Sequence, residues 1–159
     1  MAVSEKLRVL HDEIDRDAQQ LENRHKDRLK CKENCHDCCV DSITVFELEA
    51  NRIREDFPQV LTKELPHPPG KCAFLDNQGS CRVYTARPYV CRTQGLPLRW
   101  TEDEFEYRDI CVLNEEGTPL VELPEEECWT LGPYEGRLAT EQANGNRVSL
   151  RSLFNKDHR

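Results

Sequence analysis

Long apolar runs are missing from this chain of 159 residues. No stretch approaches the roughly 18 consecutive apolar residues that a membrane span requires. The opening Met-Ala-Val-Ser-Glu-Lys is charged by its fifth residue and has no apolar core, so a secretory signal is not expected. A cytoplasmic location follows as the expectation, with thiols kept reduced. Positive charge is also scarce: 22 Lys and Arg stand against 30 Asp and Glu, a net charge of −8. Phosphate backbones demand clustered cations, so nucleic acid is excluded as a partner. An anionic membrane surface is disfavoured on the same ground. Hydrophobic residues make up 37% and aromatics 7%, which leaves a single domain of this size a small core. Internal repeats, a Gly-rich phosphate loop, paired catalytic carboxylates and a nucleophile–base pair are all lacking.

Cysteine is abundant by contrast. Nine occur, at 31, 35, 38, 39, 72, 81, 91, 111 and 128. The first four fall in Cys31-Lys-Glu-Asn-Cys35-His-Asp-Cys38-Cys39, a polar stretch that offers a buried thiol nothing to pack against. An odd count without a secretory signal argues against a disulfide framework. Short spacings let one turn of backbone aim several soft sulfur donors at a common point, as a zinc ion or an iron–sulfur cluster requires. A bound metal would also reinforce a core this small.

The apolar pattern places these cysteines on a coarse frame. Leu7, Leu10, Ile14, Ala18 and Leu21 recur at spacings of three and four, predicting one helix over 3–30. Its stripe is a packing surface, for the chain itself, a protein partner or a second copy. Thr44 and Glu47 match a capping box, with Ile43 and Leu48 as its staple, for a helix ending at Phe57-Pro58. A Pro-rich connection occupies 58–71. Cys72 to Tyr84, with turn residues Asp76 to Gly79, reads as a hairpin-like turn bearing a thiol on each arm. Thr85 is a candidate cap for a turn gathering Arg87, Cys91 and Arg92. Leu98–Trp100 and Phe105–Tyr107 predict a second hairpin, ending at Cys111. A last helix is expected from about Pro124 to Gln142, burying Trp129, Tyr134 and Leu138.

The middle block, Cys72-x-Phe-Leu, Gly79-x-Cys81, Tyr84 and Arg87-Pro-x-x-Cys91-Arg92, follows an upstream cluster ending Cys38-Cys39. Together they resemble the CxxCxxCC family of small bacterial zinc- or iron-chelating cysteine-cluster proteins. The resemblance spans about 31 to 111. Residue by residue, it implies Cys31, Cys35, Cys38, Cys39, Cys72, Cys81, Cys91 and Cys111 as metal ligands, and it leaves Cys128 outside. One departure is the three residues between Cys31 and Cys35, where the family name specifies two; the extra residue rotates Cys31 relative to Cys35. The same spacing mimics the radical S-adenosylmethionine signature, but the preceding helix and the short chain do not suit that barrel.

Eight thiolates suffice for two four-cysteine sites, or for one site with bridging sulfurs; the adjacency of Cys38 and Cys39 leaves both open. Four thiolates around zinc or a cluster carry net negative charge, costly to bury uncompensated. Arg87 and Arg92, flanking Cys91, are the candidates to balance it as outer partners of the sulfurs, and Arg82 is left open. His36 lies within the first cluster and reads as a solvated loop histidine, as does His67. The expected architecture is a small, mostly helical α+β domain with short hairpins, organised around a cysteine-ligated metal or cluster. It divides into an N-terminal helix over 1–30, a chelating core over 31–111 and a helical segment over 112–159. The expected function is chelation of iron, as an iron–sulfur cluster, or of zinc. The alternatives are an iron–sulfur oxidoreductase or cluster-dependent modifying enzyme, since flagellin lysine N-methylases carry a related motif, and a zinc-stabilised interaction module. No separate substrate segment supports catalysis.

Overall fold

A computed structural model describes residues 2–31, 35–142 and 144–155. These described residues form a mixed α+β structure in which five helices frame two small sheets. Helix α1 (Val3–Arg24) buries Leu7, Leu10, His11, Ile14, Ala18 and Leu21 on one face. The apolar members of this face pack within the chain against Leu48, Tyr89, Trp129 and Leu138. The apolar stripe is thus occupied by its own fold rather than left for a second copy. The helix stops short of residue 30. After Leu21 the stripe ends, and the Arg28 and Leu29 amides both turn back to the His25 carbonyl.

Strand β1 (Thr44–Phe46) precedes helix α2 (Glu47–Asp56). The expected cap at Thr44 is displaced by two residues, because Thr44–Phe46 pairs antiparallel with the tail: Thr44 with Ser149, Val45 with Val148, Phe46 with Arg147. The helix begins after Phe46, whose amide donates to Glu49 Oε2 at 3.3 Å. Phe57-Pro58 ends α2 as expected, and Pro58, in the first turn where its missing N–H costs nothing, starts the short helix α3 (Pro58–Lys63). The connection to 72 is otherwise irregular.

The turn over 72–81 closes through a bridge between Leu75 and Cys81. A 3-10 turn at Tyr84–Ala86 leads to helix α4 (Tyr89–Arg92), preceded by Pro88 rather than capped by the Thr85 side chain. Strands β2 (Leu98–Glu102) and β3 (Phe105–Asp109) form the expected hairpin, each starting where anticipated and running two residues further at its C-terminal end. Its turn residues Asp103 and Glu104 both take positive φ, at 48° and 69°; this is the backbone twist a two-residue hairpin loop demands. Trp100 and Tyr107 stack on each other across the pair, centroids 5.6 Å apart.

The last helix starts later than expected. Trp129 lies in strand β4 (Trp129–Thr130), parallel to β2, and helix α5 (Pro133–Glu141) follows. Gly132, at φ 120°, breaks the chain direction there, and Pro133 fills the first helical position. Strand β5 (Arg147–Ser149) and a 3-10 turn at Leu150–Phe154 bring the tail back. Leu150, Leu153 and Phe154 enter a core with Val45, Ile53, Leu61 and Phe74.

A buried polar network locks α1, α2 and α4 together. Arg52 Nη1 donates to His11 Nδ1 at 2.6 Å, so the ring proton sits on Nε2, which donates to Glu49 Oε1 at 3.1 Å. The same carboxylate oxygen accepts the Tyr89 amide at 2.6 Å. Glu49 therefore holds the start of the helix that carries Cys91. Arg92 adds a second tie, donating to Asp15 Oδ2 and to the Arg87 and Thr85 carbonyls.

Candidate metal centre

The eight cysteines singled out by sequence come from segments as far apart as the end of α1 and the residues after β3, yet they fall into two neighbourhoods. The first surrounds Asn114, which is fully buried. Its Oδ1 accepts the Lys30 amide at 2.7 Å, and its Nδ2 donates to the Gly95 carbonyl at 2.9 Å and to Cys31 Sγ at 3.3 Å. Its own amide donates to the Cys111 carbonyl at 2.8 Å. One asparagine thus ties Cys31 to Cys111. Arg28 steadies it from α1's side, donating from Nε to the Asn114 carbonyl at 3.0 Å. Gly95 is required here twice over: its φ is +93°, and a Cβ would lie 2.9 Å from Cys31 Sγ. Burial pushes the Cys31 thiol up, Asn114 draws it back, and the charges of Cys111, Cys35 and Cys38 raise it further. The connection between Cys31 and Cys35, where the extra residue falls, lies outside the described residues.

The second neighbourhood is built on the core. Cys72 is buried within it, and Cys39, Cys81 and Val90 pack against it. The Cys72 amide donates to the Cys39 carbonyl at 2.9 Å. Arg82 fixes the turn between Cys72 and Cys81, donating to the Phe74, Ala73 and Leu65 carbonyls and pairing with Glu64. Burial raises Cys72 and Cys81, and pushes Cys91 up to about 12. The charge of Cys72 acts on Cys81, and those of Cys72 and Cys81 act on Cys91. Cys39 belongs here too, feeling Cys72 and Cys91. It also meets the first group, because Cys38 and Cys39 hydrogen-bond each other; that bond draws Cys38 down and holds Cys39 up.

None of the nine cysteines is in a disulfide. Among the described residues, no three His, Cys, Asp or Glu side chains are arranged to hold a metal ion. The thiols are gathered as neighbours and not closed into a coordination shell. The donor set nevertheless fits a soft metal: it is all sulfur, one sulfur already accepts an amide N–H, and Gly95 leaves space beside it.

The remaining candidates separate clearly. Arg87 lies over the Tyr84 ring, donates to the Tyr84 carbonyl, and its charge lowers both Cys81 and Cys91. Arg92 directs its recorded hydrogen bonds at Asp15 and two backbone carbonyls, tying α4 to α1. His36 is half-buried, not solvated. It stands against Gly79, where a Cβ would come within 2.4 Å of its ring, and its buried Nδ1 lacks a hydrogen-bond partner. His67 is half-buried as well, its carbonyl held by Arg151. Cys128 is buried and accepts from Arg108 Nη1 at 3.1 Å. Asn114 escaped the sequence reading, since within Asn-Glu-Glu-Gly it looks like an ordinary turn residue. His11 escaped it too, although its place four residues after Leu7 puts it on the buried face.

A thiol-rich, all-sulfur donor set of this kind is the mark of metal-chelating proteins. The model of the CxxCxxCC family, described as a putative zinc- or iron-chelating domain, matches residues 30–112. That is just over half of the chain, and the chain belongs to this family. No curated protein and no solved structure matches it. Among the described residues, no helix is long and apolar enough to cross a membrane.

Proposed function

We propose that the chain chelates a transition metal through Cys31, Cys35, Cys38, Cys39, Cys72, Cys81, Cys91 and Cys111, holding iron as an iron–sulfur cluster in preference to zinc. The supporting observation is the gathering of thiols remote in sequence: Cys31 and Cys111 share Asn114, and the Cys72 amide bonds the Cys39 carbonyl. Reduced thiols have no structural need to assemble this way, since burying several beside one another raises the cost of ionising each. A metal reverses that cost by taking all of them as thiolates. Iron–sulfur is preferred because the donors are sulfur throughout and outnumber what one structural zinc takes.

In this reading the chelating core spans 31–111, with residues 1–30 and 112–159 packed on it as parts of one domain. Arg87 offsets negative charge near Cys81 and Cys91. The metal would join the end of α1, the 72–81 turn, α4 and the segment after β3. Purification without oxygen tests the proposal. Brown protein with broad visible absorption and matching iron and sulfide is the expected result. Colourless protein with stoichiometric zinc would replace iron by zinc. Folded protein with neither metal, and all cysteines freely alkylated, would overturn the proposal.

A further inference from the structure

We propose that the open face of the β2–β3 hairpin is a docking surface for a cationic, arginine-bearing segment of a partner protein. Directly opposed residues of an antiparallel pair share a face, and successive residues change face. The register therefore sets Leu98, Trp100, Glu102, Phe105, Tyr107 and Asp109 on one side, with Arg99, Thr101, Glu106 and Arg108 on the other. Burial runs against polarity here. On the second side the Arg99 and Arg108 side chains are only 13% and 11% exposed. Arg108 donates to the Leu120 and Leu123 carbonyls and to Cys128 Sγ, while Arg99 reaches Thr130, Glu106 and Glu125. On the first side only the base is covered, where Leu98 packs against the core. Phe105 stays 67% and Tyr107 43% exposed, with half-buried Trp100 stacked on Tyr107. An antiparallel hairpin ordinarily turns its apolar face inward and its polar face to water. Here the cations are covered and the aromatics are left in water, an arrangement relieved when another molecule covers them.

Charge selects the occupant. The ion pairs of the hairpin lie on its covered side, between Arg99 or Arg108 and Glu106 or Glu125. Among the described residues, no cation pairs with exposed Glu102, beside Phe105, or with exposed Asp103 and Glu104 at the tip. The rings are unaccompanied as well. Elsewhere in the chain an arginine lies over Phe154, Tyr84, Tyr134 and Phe46; among the described residues, none lies over Trp100, Phe105 or Tyr107. A guanidinium stacks on an aromatic face and forks onto a carboxylate, so an arginine side chain satisfies both features at once. A second copy of this chain, with net charge −8, would bring like charges together. Nucleic acid and anionic membranes are repelled on the same ground.

Nuclear magnetic resonance titration of the full chain with a short peptide alternating arginine and serine tests the assignment. Shifts centred on Trp100, Phe105 and Tyr107 are expected, with an affinity that falls as salt is raised. Phe105→Ser with Tyr107→Ser should weaken binding about tenfold by removing two stacking rings. Glu102→Gln, Asp103→Asn and Glu104→Gln together should weaken it to a similar degree. All five positions are exposed, and undisturbed resonances elsewhere would verify the fold of each variant. Absence of shifts on the hairpin would overturn the docking surface. So would equal binding by the parent and the serine variant, or by a peptide alternating glutamate and serine. Self-association in sedimentation, lost in the serine variant, would give the face to a second copy and overturn the cationic partner.

Discussion

Replacing Asn114 by alanine tests the link between fold and metal most sharply. The side chain is fully buried and makes three hydrogen bonds, to the Lys30 amide, the Gly95 carbonyl and Cys31 Sγ. Truncation leaves a buried backbone N–H and a buried C=O unpaired, at about 1–3 kcal/mol each. Partial entry of water at half-buried Lys30 trims the sum, and a loss of about 3 kcal/mol of unfolding free energy is expected, large for one substitution. In the metal-loaded protein Cys31 is a thiolate, so its bond to Nδ2 becomes charge-assisted and roughly twice as strong as the neutral bond. The loaded form should lose about 1 kcal/mol more than the metal-free form, a several-fold weaker grip on metal, since about 1.4 kcal/mol is tenfold. Urea unfolding of both forms, with chelator competition, measures the two quantities. Asn114→Asp keeps the acceptor for Lys30 but sets a carboxylate against the Cys31 thiolate, and should weaken metal binding more than alanine does. Unfolding free energies within about 0.5 kcal/mol of the parent would refute the reasoning. So would an aspartate variant that binds metal better than the alanine variant.

Other substitutions grade in a similar way. Cys38→Ser and Cys91→Ser should each lower metal content and stability sharply, whereas Cys128→Ser should lose only packing and its contact with Arg108; equal metal content in all three purified variants would contradict the assignment. Stripping metal with a chelator should lower the thermal midpoint of the parent protein, and an unchanged midpoint would show that metal contributes nothing to the fold. Gly95→Ala must seat a Cβ 2.9 Å from Cys31 Sγ at φ +93°, so it should release metal from the Cys31 side; full retention there, by chelator titration, would argue against Cys31 as a ligand. Burial lowers the pKa of His11 below its usual 6.5, which gives stability a pH dependence. Below about pH 6.5 the unfolded chain takes up a proton that the folded chain refuses, so this contribution is complete above that pH and is lost as pH falls through the folded value. Urea midpoints between pH 7.5 and 5 should fall more steeply for the parent than for His11→Gln, and identical slopes would refute the buried neutral histidine.

How much of this could be read from sequence depended on whether the signal was local. The α1 stripe, the stop at Phe57-Pro58, the 72–81 turn and the β2–β3 hairpin each carry their own spacing or turn residues, and each appears where expected. Two expectations gave way to distant partners. Thr44–Phe46 became a strand because residues 147–149 pair with it, and no local pattern announces a three-residue strand whose mate lies a hundred residues on. Trp129 likewise moved from a helix to β4 through its pairing with Leu98. At the site, the motif supplied the identity of the thiols. Their division into neighbourhoods depends on Asn114 and on the core beneath Cys72, both set by tertiary contacts.

The arginines show why outer partners are harder to foresee than ligands. Arg87 and Arg92 flank Cys91 almost symmetrically in sequence, and charge alone recommends both as counterweights to thiolates. Helix α4 separates their roles. Arg87 faces the thiols closely enough for its charge to lower Cys81 and Cys91, while Arg92 turns to Asp15 on α1 and to two carbonyls. A guanidinium offers five donors in a planar fork and suits either task. The choice is made by what α4 meets on each side, and that is fixed by Glu49 receiving the Tyr89 amide. Glu49 in turn depends on His11 and, through it, on Arg52. Under the chelation proposed above, the buried network would bear on Cys91 at a distance, by holding the start of the short helix that carries it. Weakening it at His11 should loosen Cys91 along with the packing of α1, so stability and metal retention are expected to fall together as the pH is lowered.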